Sequence, residues 1–259
     1  MLQVIALPAF DDNYIWLLKS DGVASCAVVD PGDEDPVVDY CQQHGLVLTA
    51  ILITHKHGDH TGGVRELKQR WPQAVVYGPA HEPISTLEEK LGAGDRVSLG
   101  ALSLDLQVLD VPGHTEGHIA YLGNGLLFCG DTLFAGGCGR VFSGTFEQLS
   151  DSLRQIAALP PSTLVYCAHE YTLANLGFAQ WVETDNTALL QRLEEDREKR
   201  ARGLPTVPST LALELATNPF LRTDEPTVIK AAEHWAGRSL SGHREVFKAL
   251  RQWKDRDYD

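Results

Sequence analysis

His55, His57, Asp59 and His60 fall within six residues of the chain, in the run Thr54-His55-Lys56-His57-Gly58-Asp59-His60. Imidazole nitrogens and carboxylate oxygens are the usual donors to Zn²⁺ and related divalent ions, so the chemistry such a run could do is metal-assisted hydrolysis. Alternate residues of an extended segment point to one side, which lets His55 and His57 share one ion. Asp59 and His60 could then serve another. The bland alternative is a histidine-rich surface turn. With ten histidines in 259 residues, three of them plus an aspartate in so short a window fit chance poorly.

Three more donors stand just after apolar runs: His114 in Pro112-Gly113-His114-Thr115, Asp131 in Gly130-Asp131-Thr132, and His169 in Ala168-His169-Glu170. Each alone reads as a turn residue. Together they are expected at one end of one sheet, where functional loops gather. Seven donors exceed the needs of one tetrahedral ion and suit two ions sharing a carboxylate. On this reading His55, His57 and His114 hold one ion, Asp59, His60 and His169 the other, and Asp131 bridges. Zinc is the first expectation for both, with iron or manganese as alternatives. Asp59 and Asp131 are the candidates to hold the nucleophile's proton.

The elements that must position these donors are short. Leu2–Leu7, Tyr14–Leu18, Cys26–Val29, Val47–Ile53, Ala74–Tyr77, Leu102–Val111, Ile119–Leu122, Leu126–Phe128 and Leu164–Cys167 read as strands bounded by Gly, Pro, Asp and Asn. Helical spacing marks Pro36–His44, Val64–Arg70 and Thr145–Leu159, the last with Phe146, Leu149, Leu153 and Ile156 on one stripe. Past residue 170 the texture turns helical, in Ala188–Arg202, Thr227–Ala236 and His243–Trp253, punctuated by Pro205, Pro208 and Pro219. A mixed α/β domain over 1–169 and a smaller helical domain over 170–259 are therefore expected. The charge run Glu194–Arg202 reads as a solvated helix face.

A net charge of −13 disfavours nucleic acid and acidic membrane surfaces as partners. It leaves room for an anionic small molecule wherever cations cluster, because screening cuts interactions beyond about 8 Å. No apolar run reaches bilayer-spanning length, and Met1–Phe10 lacks a basic leader, so the cytoplasm is the expected location. Five scattered cysteines, Cys26, Cys41, Cys129, Cys138 and Cys167, form no CxxC pair, which argues for buried thiols over a disulfide framework. Val97 stands where a dinucleotide loop opening at Gly92 and Gly94 would need its third glycine. His44, His81, His118, His234 and His243 show no partner pattern and read as surface or packing residues. Asp30, ending a strand in Val29-Asp30-Pro31-Gly32, could orient a ligand histidine or simply cap a turn.

The His-x-His-x-Asp-His run, followed by His114, Asp131 and His169, resembles the metallo-β-lactamase superfamily, and within it the glyoxalase II (hydroxyacylglutathione hydrolase) family. Four further segments carry the narrower likeness: Gly130-Asp131-Thr132-Leu133-Phe134, Gly137-Cys138-Gly139-Arg140, Cys167-Ala168-His169-Glu170-Tyr171-Thr172 and Asn218-Pro219-Phe220-Leu221-Arg222, with Arg251-Gln252-Trp253-Lys254 near the end. The resemblance implies an α/β fold, an αββα metallo-β-lactamase-like sandwich with a C-terminal helical domain that supplies part of the substrate pocket. It implies hydrolysis of S-(2-hydroxyacyl)glutathione, typically S-D-lactoylglutathione, the second step of methylglyoxal detoxification. It also implies that Arg140, Tyr171, Arg251 and Lys254 contact the glutathione moiety. By residue type alone, Arg251 and Lys254 would read as cations at a helix C-terminus. The chain departs from the pattern at Phe142, where the family often carries a tyrosine; the ring can pack on the ligand but its hydroxyl contact is absent. A monomer is the working expectation. The alternatives are a mono-iron glutathione persulfide dioxygenase, whose pattern lacks the helical tail, and a non-catalytic module, which a complete donor set argues against.

Overall fold

The computed structural model describes residues 1–258. The chain divides into two compact units, one made of Met1–Asp110 and Thr115–Gly130, the other of Val111–His114 and residues 131 onward.

In the first unit β1 (Leu2–Ala9), β2 (Asn13–Ser20), β3 (Ser25–Val29), β4 (Val47–Leu52), β5 (Val75–Pro79) and β6 (Glu89–Leu91) form one sheet in that order. The first three strands are an antiparallel meander, whereas β3 to β6 run parallel. Parallel neighbours need crossover connections, and α1 (Asp35–His44) and α3 (Val64–Arg70) supply two of them. Their inner residues, Val37, Cys41, Val64 and Leu67, join Leu17, Val28 and Ile51 in one apolar core. Each such side chain contributes about 1.5–3 kcal/mol on burial. Between the crossovers, α2 (Gly58–Thr61) is a single turn holding Asp59 and His60.

The antiparallel set β7 (Arg96–Leu99), β8 (Leu104–Asp110), β9 (Ile119–Gly123) and β10 (Leu126–Gly130) completes the unit. Along β8, Leu104, Leu106 and Val108 face inward while Asp105 and Gln107 face water, the alternation of a half-solvated sheet. Tyr121 on β9 donates its hydroxyl to the Ile53 carbonyl at 2.8 Å, and the Ile119 N–H reaches Thr54 O at 3.0 Å. Both bonds pin the chain where β4 opens into the histidine run.

The second unit contains the hairpin β11 (Leu133–Phe134) and β12 (Gly137–Cys138), the pair β13 (Leu164–Cys167) and β14 (Ser209–Thr210), and helices α4 (Phe146–Ala157), α5 (Thr172–Val182), α6 (Thr187–Ala201), α7 (Leu211–Thr217), α8 (Pro226–Ala236) and α9 (Gly242–Trp253). Thr145 and Gln148 form a reciprocal capping box that starts α4. Leu176 and Ala179 of α5 pack on Leu189 and Leu193 of α6, while α9 lies against α4 and α8.

Several expectations from the sequence need correction. Leu102–Val111 is not one strand: a turn of 3₁₀ helix covers Gly100–Leu102, and Ser103 at φ 52 breaks the run before β8. The donors follow strands of more than one sheet, β4 in the first and β8 and β10 in the second, because a run of strands does not reveal which of them pair. The stretch Glu194–Arg202 is not wholly a solvated face, since Asp196 is buried and paired with Arg192.

Candidate metal centre

The histidine run sits in the first unit, and its donors fall into two pairs. His55 and His57 turn Nε2 and Nδ1 toward each other at 3.0 Å. Asp59 Oδ2 lies 3.4 Å from His60 Nε2. Polar groups of Asp30 and Thr54 stand behind two of the rings. Asp30 accepts from the Thr54 N–H and the Thr54 hydroxyl, both at 2.8 Å, and its Oδ2 lies 3.1 Å from His60 Nδ1. The Asp30 carboxylate thus lies on the Nδ1 side of the His60 ring, and Nε2 is on the Asp59 side. Because Thr54 donates its hydroxyl hydrogen to Asp30, its oxygen accepts from His55 Nδ1–H at 3.1 Å, which makes His55 Nε2 the lone-pair nitrogen of the ring. Asp30 thus sets its carboxylate against Thr54 and His60 Nδ1, a placement that fits the orienting role among the two the sequence left open.

Asp30 holds this post at φ 52, in the left-handed region, which aspartate tolerates better than most non-glycine residues. Asn13, buried, donates to Asp59 Oδ2 at 3.1 Å. A Cβ on Gly32 would stand 1.9 Å from the Asp59 carbonyl oxygen, so only glycine lets the Asp30 turn approach the ligand loop. His118 is buried with its ring stacked on His55, centroids 4.5 Å apart. Asn13 and His118 escape sequence reasoning, since each is a lone polar residue whose partner lies far along the chain.

Substituting Asp30 by Asn keeps the size but removes the charge that orients His60 and Thr54. Metal affinity of Asp30→Asn, read by competition with a chelator, is expected to fall about 10–100-fold, the range for loss of a ligand's outer partner. Unchanged affinity would count against the orienting role.

In the second unit, Asp131 turns its two oxygens to two imidazoles. Oδ2 lies 3.4 Å from His114 Nε2, and Oδ1 lies 3.3 Å from His169 Nε2. His114 donates Nδ1–H to the Arg140 carbonyl at 2.7 Å, which fixes the tautomer with Nε2 facing Asp131. A Cβ on Gly139 would meet the Asp131 carbonyl oxygen at 2.0 Å, so this close turn also demands glycine. Aromatic rings flank both histidines: Tyr171 stacks on His169 at 4.7 Å, and Phe142 meets His114 edge-on at 5.2 Å.

These groups open on a cavity of about 400 Å³ within the same unit, whose wall includes Arg140, Phe142, Tyr171, Arg251 and Lys254. Arg140 and Phe142 are exposed, whereas Arg251 and Lys254 are buried. Arg251 reaches the Cys138 carbonyl through Nη1 at 3.0 Å and Asp255 Oδ1 through Nε and Nη2 at 3.1 and 2.8 Å. Asp255 also faces Arg140 Nε at 3.8 Å, so one carboxylate sits between two of the cavity's cations. Burial pushes the Cys138 thiol up to about 11, which keeps this cavity-lining cysteine protonated at neutral pH. Asp255 stands four residues after Arg251, a spacing that marks helical ion pairs, and that signal could have found it.

Imidazole and carboxylate donors suit divalent ions, and the histidine and aspartate clusters are consistent with a binuclear metal site. Comparison with known proteins agrees. Residues 9–169 match the model of the metallo-β-lactamase superfamily, and residues 170–257 match that of the hydroxyacylglutathione hydrolase C-terminus. The chain is 53% identical over 257 residues to a hydroxyacylglutathione hydrolase of Pseudomonas fluorescens, covering 99% of this chain and 100% of that one. It is 55% identical over 255 residues to one of Alkalilimnicola ehrlichii, covering 98% and 99%. Among solved structures it is similar to ETHE1 from Myxococcus xanthus, with 32% identity, a TM-score of 0.59 and coverage of 66% of this chain and 76% of that one.

Proposed function

Because the chain belongs to the hydroxyacylglutathione hydrolase family of the metallo-β-lactamase superfamily, we propose that its substrate is S-D-lactoylglutathione or a close S-(2-hydroxyacyl)glutathione. The products are then glutathione and a 2-hydroxy acid, D-lactate in the first case, in the second step of methylglyoxal detoxification. The protein is a metal-dependent hydrolase with an αββα sandwich and a C-terminal helical region.

One observation carries the reading: Asp131 offers each oxygen to a different imidazole. We assign His55, His57 and His114 to one ion, Asp59, His60 and His169 to the other, and Asp131 to both, with zinc as the metal and iron or manganese as substitutes. Bound there, the two ions would bring the pKa of a shared water toward neutrality and polarise the thioester carbonyl.

The chain's own residues do the rest. Asp59, partly exposed and with Oδ2 held by Asn13, is placed to hold the nucleophile's proton. Glutathione departs as a thiolate, and a thiol pKa of about 8.5 means that departure needs little acid assistance. Arg140 and Lys254 supply positive charge for the two glutathione carboxylates. Arg251 acts through the wall it builds on Cys138 as well as by charge. The Tyr171 hydroxyl serves the peptide backbone, and Phe142 offers a ring without the hydroxyl contact. All seven metal donors precede residue 170, whereas Tyr171, Arg251 and Lys254 follow it. That supports a functional division into a catalytic part, 1–169, and a substrate-binding part, 170–259. The compact units divide the chain differently. No helix among the described residues is long and apolar enough to cross a membrane. We place the protein in the cytoplasm as a monomer, with neither nucleic acid nor membrane as a partner.

Steady-state kinetics on S-D-lactoylglutathione beside a small acyl thioester, with metal analysis of the same sample, tests this. Arg140→Ala is expected to raise KM for the glutathione substrate and leave slow hydrolysis of the small thioester nearly unchanged. Equal losses on both substrates would remove Arg140 from the binding role. Oxygen uptake with glutathione persulfide, in place of thioester hydrolysis, would sink the proposal itself.

A further inference from the structure

Between Asp131 and Arg140 the chain makes the hairpin β11–β12, which has two paired positions, Leu133 with Cys138 and Phe134 with Gly137. A hairpin that short does not hold itself. Side chains of the helical region hold it instead. Asn218, fully buried, donates through Nδ2 to the carbonyls of Phe134 at 3.2 Å and Gly137 at 2.9 Å, one on each strand. Asn175 donates to the Ala135 carbonyl at 3.1 Å, and Glu214 accepts the Gly136 N–H at 2.8 Å. The tip has no slack: a Cβ on Gly137 would meet the Asn175 amide carbon at 2.4 Å. The Asn218 amide has one workable orientation, because its Oδ1 accepts from the Phe220 N–H at 3.1 Å and Nδ2 must then face the hairpin.

We infer that Asn218 is a positioning residue: by tying the two hairpin strands together it sets the spacing between Asp131 and Arg140. This rests on the reading of Asp131 as the bridging donor and Arg140 as a substrate cation. An aspartate at 218 would set oxygen against carbonyl oxygen, and an alanine would leave both carbonyls without their donor. The preceding residue, Thr217, turns away from the hairpin and accepts from Arg192 Nη1 at 2.6 Å. It belongs to the same buried network and serves as the stability control.

The test compares Asn218→Ala with Thr217→Val in the full-length protein. Both are expected to lower Tm. Only Asn218→Ala is expected to weaken Zn²⁺ binding, titrated with zinc alone against a chromophoric chelator, by about 10–100-fold for the weaker-held ion. Only Asn218→Ala is expected to lower kcat and raise KM on S-D-lactoylglutathione. Equal zinc affinity in the two variants overturns the inference. The zinc titration needs no substrate, so a wild-type protein inert toward the thioester would refute the proposed function while leaving this result readable. If Asn218→Ala does not fold, Asn218→Ser carries the same expectation and the same refutation.

Discussion

Asp131→Asn is expected to lower kcat on S-D-lactoylglutathione by about 10³-fold, the equivalent of several kcal/mol of lost charge stabilisation. The side chain keeps its size, so the fold around Gly139 and the His114 bond to Arg140 should persist. What changes is the donor set. One carboxylate oxygen becomes an NH₂ group, which turns hydrogens toward either His114 Nε2 or His169 Nε2, at 3.4 and 3.3 Å in the native arrangement. An amide cannot offer a lone pair to both sides, and it carries no charge to offset two cations. Zinc content is therefore expected to fall to one ion or fewer per chain, with Tm of the metal-free protein nearly unchanged. A variant that kept two ions and lost less than about tenfold in kcat would show that Asp131 does not bridge.

The residues of the two His/Asp clusters were legible in the sequence as candidate donors because they follow apolar runs, and their residue types are uncommon together. What holds them was legible only in part. For Asp30 an orienting role was one of two readings left open, whereas Asn13 and His118 act through tertiary contacts, and a lone Asn or His gives no periodic signal. The missed elements have plain causes. The α5 sequence Thr172-Leu-Ala-Asn-Leu-Gly-Phe-Ala-Gln-Trp-Val182 has little polar contrast around the helix, since Leu176, Phe178, Ala179 and Val182 are all buried. It also contains Gly177, where a Cβ would meet the Tyr258 hydroxyl at 2.1 Å. The hairpin β11–β12 and the strand β14 are two residues each, too short to show a period of two. Helices with a clear apolar stripe, α4 and α9, were read within a few residues of their ends.

The acidic balance of the chain also takes on structural sense. Its cations at the cavity are accompanied by Asp255, which draws on both Arg251 and Arg140. On the proposed function, a substrate carboxylate entering the cavity would compete with that aspartate for Arg140, the exposed and more distant partner, while the closer Arg251 bonds stay in place. The proposed function would then draw its affinity chiefly from Arg140, with Arg251 chiefly building the wall. Family resemblance alone had grouped all three as substrate contacts.

The largest expected loss of stability comes from Arg192. Its guanidinium is buried and bonds Asp196 at 3.3 Å, Thr217 at 2.6 Å and Glu214 at 2.6 Å, linking α6 to α7. Burial disfavours its charge, but the Glu214 and Asp196 carboxylates together more than offset this, and the pKa is held above its ordinary value. Removing one member of such a group leaves an uncompensated buried charge, so Arg192→Met is expected to cost about 3–5 kcal/mol. With roughly 2–4 °C per kcal/mol for a chain of this size, Tm should drop by about 6–20 °C. If the cost lies in the stranded carboxylate, neutralising it should recover part of the loss. Glu214→Gln keeps an oxygen for the Gly136 N–H and the Asn218 amide but gives up the charge. The double variant Arg192→Met/Glu214→Gln is therefore expected to be more stable than the sum of the two singles predicts, with a coupling of about 1–3 kcal/mol. Strict additivity in denaturant unfolding would mean that Arg192 stabilises through the packing of its stem and not through its charge.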